Sequence, residues 1–126
     1  MTVILDASAM LALIFDETGA ENVAAHAQGS QILAINFSEV VARVIAIDGN
    51  PKRAEVSADR LEIAIIPFDR HHASMTAEMI KRTSSIGVSL ADRACLAFAE
   101  TSGLPVLTAD KDWSKLNLSI DIRQIR

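Results

Sequence analysis

The sequence predicts an α/β protein, a three-layer α/β/α domain with a mostly parallel sheet of about five strands. Short apolar runs of strand length alternate with longer segments in which apolar residues recur at helical spacing. The predicted element order is βααβααβααβαβ, and such alternation is typical of a parallel sheet covered by helices on both faces. The chain of 126 residues suits one domain, residues 1–126, with one hydrophobic core.

The first predicted strand and helix place an acidic residue at a sheet edge. Residues 3–5 form an apolar run typical of a strand buried on both faces, and Asp6 follows directly. Apolar residues resume at helical spacing over 10–14. In open α/β sheets, ligands bind outside the carboxyl ends of the strands, so Asp6 is placed to contact a ligand. Alternatively, Asp6 only caps the helix that follows.

Two further helices surround the second predicted strand. A short helix over 20–27 precedes an apolar run at 32–35, which predicts a strand. The segment NFSEVVARVIAIDG then has helical spacing, with Asn36 as its predicted N-cap and Glu39 completing a capping box. Another helix is predicted over 50–61, where an Asn-Pro pair marks the start.

The second half of the chain contains the clearest helix. A third strand at 63–66 and a helix over 69–83 come first. The segment SLADRACLAFAETSG then predicts a helix capped by Ser89, with Asp92 at its third position.

The chain ends with two predicted strands. Residues 104–107 form an apolar run, and Asp110 follows it in a turn that contains one helical loop. Residues 120–125 alternate like a final strand, and right-handed crossovers restrict the possible topologies to a few.

Four acidic residues are expected to gather at one edge of this sheet. Asp6 and Asp110 follow strands, whereas Glu39 and Asp92 are predicted in the first turns of helices, and these helices begin at the carboxyl edge of a parallel sheet. Each acid alone could be a cap or a favourable charge at a helix dipole. Together, carboxylates that share one site require a proton or a cation, and Mg²⁺ or Mn²⁺ suits oxygen ligands. Such ions would support phosphodiester hydrolysis.

The composition narrows the function further. The single cysteine, Cys95, excludes an internal disulfide and a zinc site built from cysteines, and indicates an intracellular protein, which we expect in the cytoplasm. No apolar run approaches the roughly 20 residues of a membrane helix, and no cationic signal segment precedes the first strand, so we expect no membrane association. The net charge of −4 argues against nucleic-acid binding by bulk charge alone. The glycine-rich motifs of nucleotide-binding folds are absent from the sequence.

Four segments together resemble a known nuclease family. VILDASAMLALIF, NFSEVVARV, GVSLADRACLAFA and LPVLTADKDW resemble the successive motifs of PIN-domain ribonucleases, especially the toxins of VapBC-type toxin–antitoxin pairs. The resemblance spans nearly the whole chain. It implies Mg²⁺- or Mn²⁺-dependent RNA cleavage, a homodimer, and inhibition by a small antitoxin that also binds DNA.

The resemblance assigns roles to particular residues. It places the family's metal-binding catalytic acids at Asp6, Glu39, Asp92 and Asp110. It also places the neighbouring hydroxyl positions at Ser8 and Thr108. Asp112 is an extra acid, which could assist the metals through water or face solvent.

Expectations about partners follow from the remaining residues. Arg93 and Lys111, beside Asp92 and Asp110, are candidate phosphate contacts, or else solvated helix charges. We expect the substrate to be a structured RNA, such as a tRNA, cleaved in a single-stranded loop. Four apolar residues are candidates for exposure at a dimer interface, namely Ile45, Ile47, Val56 and Leu61.

Two alternatives remain open. A receiver-like phosphoacceptor domain also has an acidic, Mg²⁺-binding sheet edge, and Asp69 and Lys111 partly fit its pattern, although a lone Asp6 follows the first strand. A degenerate PIN domain that only binds its partners is the other alternative, and the full set of four acids argues against it.

Overall fold

The computed structural model describes residues 1–126 and contains one five-stranded sheet in which every pair of neighbouring strands is parallel. The strands are β1 (Ile4–Leu5), β2 (Gln31–Leu33), β3 (Ala64–Ile66), β4 (Val106–Thr108) and β5 (Ile122–Gln124). Their spatial order is β3-β2-β1-β4-β5. The predicted α/β class and the number of strands are therefore confirmed.

Six α-helices connect these strands. They are α1 (Ala7–Ile14), α2 (Ala20–Ala24), α3 (Ala34–Asp48), α4 (Lys52–Arg60), α5 (Arg70–Glu78) and α6 (Leu90–Ser102). Single 3₁₀ turns cover Lys81–Thr83 and Lys111–Lys115. The predicted order of strands and helices is confirmed. None of the helices combines the length and the apolar character that crossing a bilayer requires.

The central strand β1 lies at a topological switch point. From β1 the chain builds β2 and then β3 on one side, and it returns to place β4 and β5 on the other. Ile4 pairs with Val106 and Leu5 with Leu107, so β1 and β4 run side by side towards the same edge. Connections that leave two neighbouring strands in opposite directions create the usual ligand site of an open α/β sheet.

Alternate residues of β1 enter the two halves of the core. Leu5 packs on one face with Met10 of α1 and Val40 of α3. Ile4 packs on the other face with Leu96 of α6 and the indole of Trp113. Because successive strand side chains point to opposite faces, this alternation shows that the sheet is covered on both sides, as the apolar run predicted.

The predicted start of α3 is wrong. The helix begins at Ala34, directly after β2, and Leu33 occupies the N-cap position without a side-chain cap. Asn36 is therefore the third helical residue and is buried, and Glu39 is the sixth, so the predicted capping box does not form. The apolar run at 32–35 is shared between the end of the strand and the first turn of the helix, a division that hydrophobicity alone does not reveal.

The other predicted helices differ mainly at their ends. Ser89 and Asp92 form the capping box that begins α6, which confirms Ser89 as its N-cap. The helix predicted over 69–83 stops at Glu78 and continues as a 3₁₀ turn. Thr83 donates its hydroxyl to the Met79 carbonyl within this tighter winding.

We expect Gly19→Ala to destabilise the fold more than Gly49→Ala. Both glycines have positive φ, 94° and 85°, which costs about 1 kcal/mol for an alanine. A Cβ at Gly19 would also overlap the Ile125 carbonyl oxygen, whereas a Cβ at Gly49 would meet nothing within 4 Å. Urea unfolding should therefore show a loss of roughly 1 kcal/mol for Gly49→Ala and at least twice that for Gly19→Ala. Equal losses would contradict the close packing of the C-terminal segment on Gly19.

Candidate functional site

Asp6 lies at the end of β1 and is the N-cap of α1. Its side chain is buried, with only 4% of the residue exposed. One carboxylate oxygen accepts hydrogen bonds from the Ala9 N–H (2.8 Å) and the Ser8 hydroxyl (2.6 Å). The other oxygen accepts from the Thr108 hydroxyl. Three donors from α1 and β4 therefore fix the orientation of this carboxylate.

The two hydroxyl groups also connect Asp6 with the turn after β4. The Ser8 hydroxyl oxygen accepts from the Ala109 N–H at 2.9 Å, and the Thr108 hydroxyl oxygen accepts from the Asp110 N–H at 3.0 Å. Each hydroxyl thus donates to Asp6 and accepts from the backbone that carries Asp110. The structure places Ser8 and Thr108 beside Asp6, where the sequence pattern predicted them.

Burial is the main influence on the Asp6 carboxyl. It raises the pKa of Asp6 from 3.8 to about 6, although the hydrogen bonds from Ser8, Thr108 and Ala9 act in the opposite direction. The charge of Asp92 raises it further, so these two carboxylates lie within electrostatic reach of each other.

The other acids interact through Asp92. Burial raises the pKa of Glu39, and the charge of Asp92 adds to this rise. Burial likewise raises the pKa of Asp92, with the charge of Asp110 adding to it and Arg93 opposing it. The four acids therefore form one electrostatically coupled group, which we call the acidic edge: Asp6, Glu39, Asp92 and Asp110.

Cys95 lies in the core beneath the acidic edge. Burial raises the pKa of its thiol well above the usual value, and the charges of Asp6, Asp92 and Glu39 raise it further. The thiol itself is held neutral in packing, as the sequence predicted for Cys95.

The ligand chemistry of the acidic edge fits a hard divalent cation. It offers only carboxylate oxygens, which Mg²⁺ and Mn²⁺ prefer, and none of the molecule's salt bridges includes a member of the acidic edge. In the present arrangement no three His, Cys, Asp or Glu side chains converge closely enough to hold one ion. Any shared ion must therefore draw these side chains together.

Three other predicted residues differ in their surroundings. Asp112 is exposed and pairs with Lys115 at 2.8 Å, so its side chain faces solvent, while its backbone N–H donates to the Asp110 carboxylate at 2.9 Å. Lys111 is exposed. Arg93 is half-buried and donates to the Val88 carbonyl at 2.8 Å, so part of its guanidinium group is committed within the protein.

Sequence reasoning missed two residues that support the acidic edge. Asn36 donates its amide N–H to the Ala91 carbonyl at 2.9 Å. Gln124 donates its amide N–H to the Asp110 backbone carbonyl at 2.8 Å. Asn36 carried a weak signal, since it lies one helical turn before Glu39. Gln124 carried none, because its place opposite Thr108 depends on the register of β5.

Comparison with known proteins gives a family and a fold. The sequence model of the PIN domain matches residues 3–118. The structure is similar to that of the VapC20 toxin of Mycobacterium tuberculosis, described as cleaving the sarcin–ricin loop, with a TM-score of 0.73, 16% identity and coverage of 96% of this chain and 98% of that one. No curated protein sequence matches this chain.

Two toxin–antitoxin structures are equally similar in fold. A toxin–antitoxin complex from Klebsiella pneumoniae has a TM-score of 0.77 and 16% identity, over 98% of both chains. The DNA-bound VapBC complex of Salmonella typhimurium has a TM-score of 0.76 and 17% identity, over 100% of this chain and 99% of that one.

We expect the metal-free protein to become less stable as the pH rises. The pKa of Asp6 is about 6 in the folded protein, above its ordinary 3.8, so the folded state favours the protonated form. The free energy of unfolding therefore falls as the pH rises from about 4 to about 6.5. The loss from Asp6 is about 3 kcal/mol, roughly half of it above pH 5. Glu39 and Asp92 shift in the same direction.

Urea unfolding in EDTA at pH 5 and pH 8 measures this dependence. Asp6→Asn should reduce the difference between the two pH values by about 1 kcal/mol or more, because the group no longer titrates. Asp59→Asn, at an exposed acid of α4, should keep the wild-type difference. An unchanged difference in Asp6→Asn would contradict the assignment of the raised pKa to Asp6.

Proposed function

Because this chain belongs to the PIN domain family, we propose that its residues 1–126 form a single nuclease domain, a metal-dependent endoribonuclease that is the toxin of a type II toxin–antitoxin pair. The observation that carries the proposal is the acidic edge at the switch point between β1 and β4, where four coupled carboxylates have no salt-bridge partner.

The acidic edge would hold Mg²⁺ or Mn²⁺. When bound, the ion supplies the positive charge that polarises the scissile phosphate and promotes loss of a proton from the attacking water. Asp6 is mostly ionised at neutral pH, since its pKa is about 6, and Ser8 and Thr108 keep its oxygens oriented. The exposed Lys111 lies beside Asp110, where it can contact a substrate phosphate. Arg93 is the second candidate contact.

We propose that the substrate is a structured RNA, such as a tRNA, that is cleaved in a single-stranded loop. The similar VapC20 toxin is described as cleaving the sarcin–ricin loop, so a loop is the kind of target that this likeness suggests. A loop can splay its bases and backbone into an open edge, whereas the grooves of duplex RNA restrict access to the backbone.

The proposed protein partner is a cognate antitoxin. The similar structures from Klebsiella pneumoniae and Salmonella typhimurium are toxin–antitoxin complexes. An arginine of the antitoxin would match the carboxylates of the acidic edge, because its planar fork pairs with carboxylate geometry. Such a contact would occupy the positions that the cation needs.

The proposed assembly of the toxin is a homodimer. Ile45 and Ile47 of α3 are 43% and 53% exposed, which is consistent with an apolar interface. Val56 and Leu61, also predicted as interface candidates, are half-buried.

The receiver-like alternative finds little support in the geometry. Asp69, its candidate acceptor, follows the edge strand β3, and its carboxylate accepts from the His72 N–H as the N-cap of α5. Incubation with a small phosphodonor should add no phosphate to the intact protein by mass measurement. Cleavage of RNA by the wild-type protein would exclude the binding-only PIN alternative.

We expect Asp92→Asn to abolish Mg²⁺-dependent cleavage of RNA, because a neutral amide is a poor replacement for a charged ligand. The rate should fall by about 100-fold or more, because losing a residue that only orients a metal ligand already lowers activity by about 10- to 100-fold. In EDTA the melting temperature should stay unchanged or rise, since the substitution relieves repulsion. Asp112→Asn, at a side chain that faces solvent, should cleave at the wild-type rate. Retained cleavage by purified Asp92→Asn would contradict the assignment of Asp92 as a metal ligand.

We expect sedimentation at micromolar concentration to show a dimer, and Ile47→Asp to convert it to a monomer. A charge at an apolar interface would be desolvated without a partner, which opposes association. Ile80→Asp is the matched control, because Ile80 is equally exposed, at 54%, but lies after α5. A wild-type monomer, or an Ile47→Asp dimer, would argue against an interface at α3.

A further inference from the structure

We propose that Asn36 is a positioning residue that fixes the first turn of α6 against α3, and so holds the helices that carry Glu39 and Asp92 in a relative position from which both carboxylates can be drawn onto one cation. This inference rests on the proposed function, since it concerns the same acidic edge. It gives a role to a buried amide that is not the N-cap of α3 and that opens the segment NFSEVVARV, where the resemblance to the family assigned a role only to Glu39.

Asn36 makes one hydrogen bond that crosses between the two helices. It is the third residue of α3, and only 1% of it is exposed. Its amide nitrogen donates to the Ala91 carbonyl in the first turn of α6, at 2.9 Å across 55 positions of sequence. The orientation of the amide follows from chemistry, because a carbonyl oxygen only accepts and the nitrogen must face it.

This bond holds the turn that carries Asp92. Ala91 lies inside the capping box formed by Ser89 and Asp92. Asp6 follows a strand directly and Asp110 lies two residues beyond one, so the sheet places both of them. By contrast, the first turn of α6 follows the loop 84–89, and this helix is joined to a strand only at its other end, where residues 103–105 lead into β4. The bond from Arg93 to Val88 lies within the same segment and cannot fix that segment against α3.

The same amide lies on the helix that carries Glu39. The two residues are three positions apart on α3, so their side chains lie on neighbouring parts of one helical face. Through its bond to the Ala91 carbonyl, the amide therefore connects the helix that carries Glu39 with the turn that carries Asp92.

The side-chain oxygen of Asn36 argues against a purely stabilising role for this residue. The Asn36 side-chain oxygen is buried and has no hydrogen-bond partner, which costs roughly 1–3 kcal/mol. Leucine has a similar shape and would avoid this cost. The Ala91 carbonyl would keep its own helical hydrogen bond in that case. Stability alone therefore favours an apolar residue here, which supports a role for the amide donor in placing the first turn of α6.

The test compares Asn36→Leu with Asn22→Leu. Asn22 is a matched control, because its amide also donates to a distant backbone carbonyl, that of Ile125 at 2.8 Å, but it lies on α2, which carries none of the four acids. Calorimetric titration with Mn²⁺ measures binding without substrate, and melting in EDTA measures the fold. Cleavage of RNA over a series of Mn²⁺ concentrations then separates metal affinity from the KM for RNA.

We expect Asn36→Leu to melt in EDTA at or above the wild-type temperature and to bind Mn²⁺ at least about 10-fold more weakly. Raising the Mn²⁺ concentration should restore part of kcat, with the KM for RNA unchanged. Asn22→Leu should lower the melting temperature and leave Mn²⁺ affinity at the wild-type value. If Asn36→Leu does not fold, Asn36→Ala takes its place, because it also removes the donor. Its Mn²⁺ affinity should fall by the same factor in the calorimetric titration.

Wild-type Mn²⁺ affinity in a folded Asn36→Leu or Asn36→Ala would overturn the inference, as would equal weakening in Asn22→Leu. This failure is distinct from failure of the proposed function. If the wild-type protein itself neither binds Mn²⁺ nor cleaves RNA, the nuclease assignment falls. If the wild type does both and Asn36→Leu binds equally well, only the role of Asn36 falls.

Discussion

The burial of the Asp6 carboxylate at the end of the central strand is the constraint on which the site depends. A buried charge is tolerated only when donors surround it, and here the donors come from the first turn of α1 and from the last residue of β4. Their hydroxyl groups in turn accept from the backbone at Ala109 and Asp110. Satisfying one carboxylate therefore joins β1, α1 and β4 at the switch point of the sheet.

The capping role of these acids is compatible with the functional role proposed for them. Asp6 caps α1, and Asp92 completes the capping box of α6, so both stabilise helix ends as the simplest interpretation of the sequence suggests. The same geometry directs carboxylate oxygens to the edge where parallel strands end and helices begin. Burial, with mutual repulsion adding to it, raises the pKa values of Asp6, Glu39 and Asp92, so local stability is lost where negative charge is concentrated.

The four acids reach this edge by different structural routes. Asp6 and Asp110 are placed by neighbouring strands whose register is fixed by backbone hydrogen bonds. Glu39 is placed by a helix that continues a strand without a loop. Asp92 lies on a helix that approaches from a loop, and a side-chain amide on α3 links it to the rest. The placement of Asp92 thus combines the core packing of α6 with one tertiary hydrogen bond.

The sequence by itself determined the features that have local causes. Apolar periodicity predicted the order of strands and helices, the buried central strand and the acids at strand ends, and the spacing of Ser89 and Asp92 predicted their capping box. It did not predict the first residue of α3, because the run at 32–35 has the same hydrophobicity in a strand and in a helix. Only the tertiary structure decided that Asn36 meets Ala91 and that Gln124 meets Asp110. Those partners come from other elements of the fold, and helix packing and strand register select them, which no local pattern encodes.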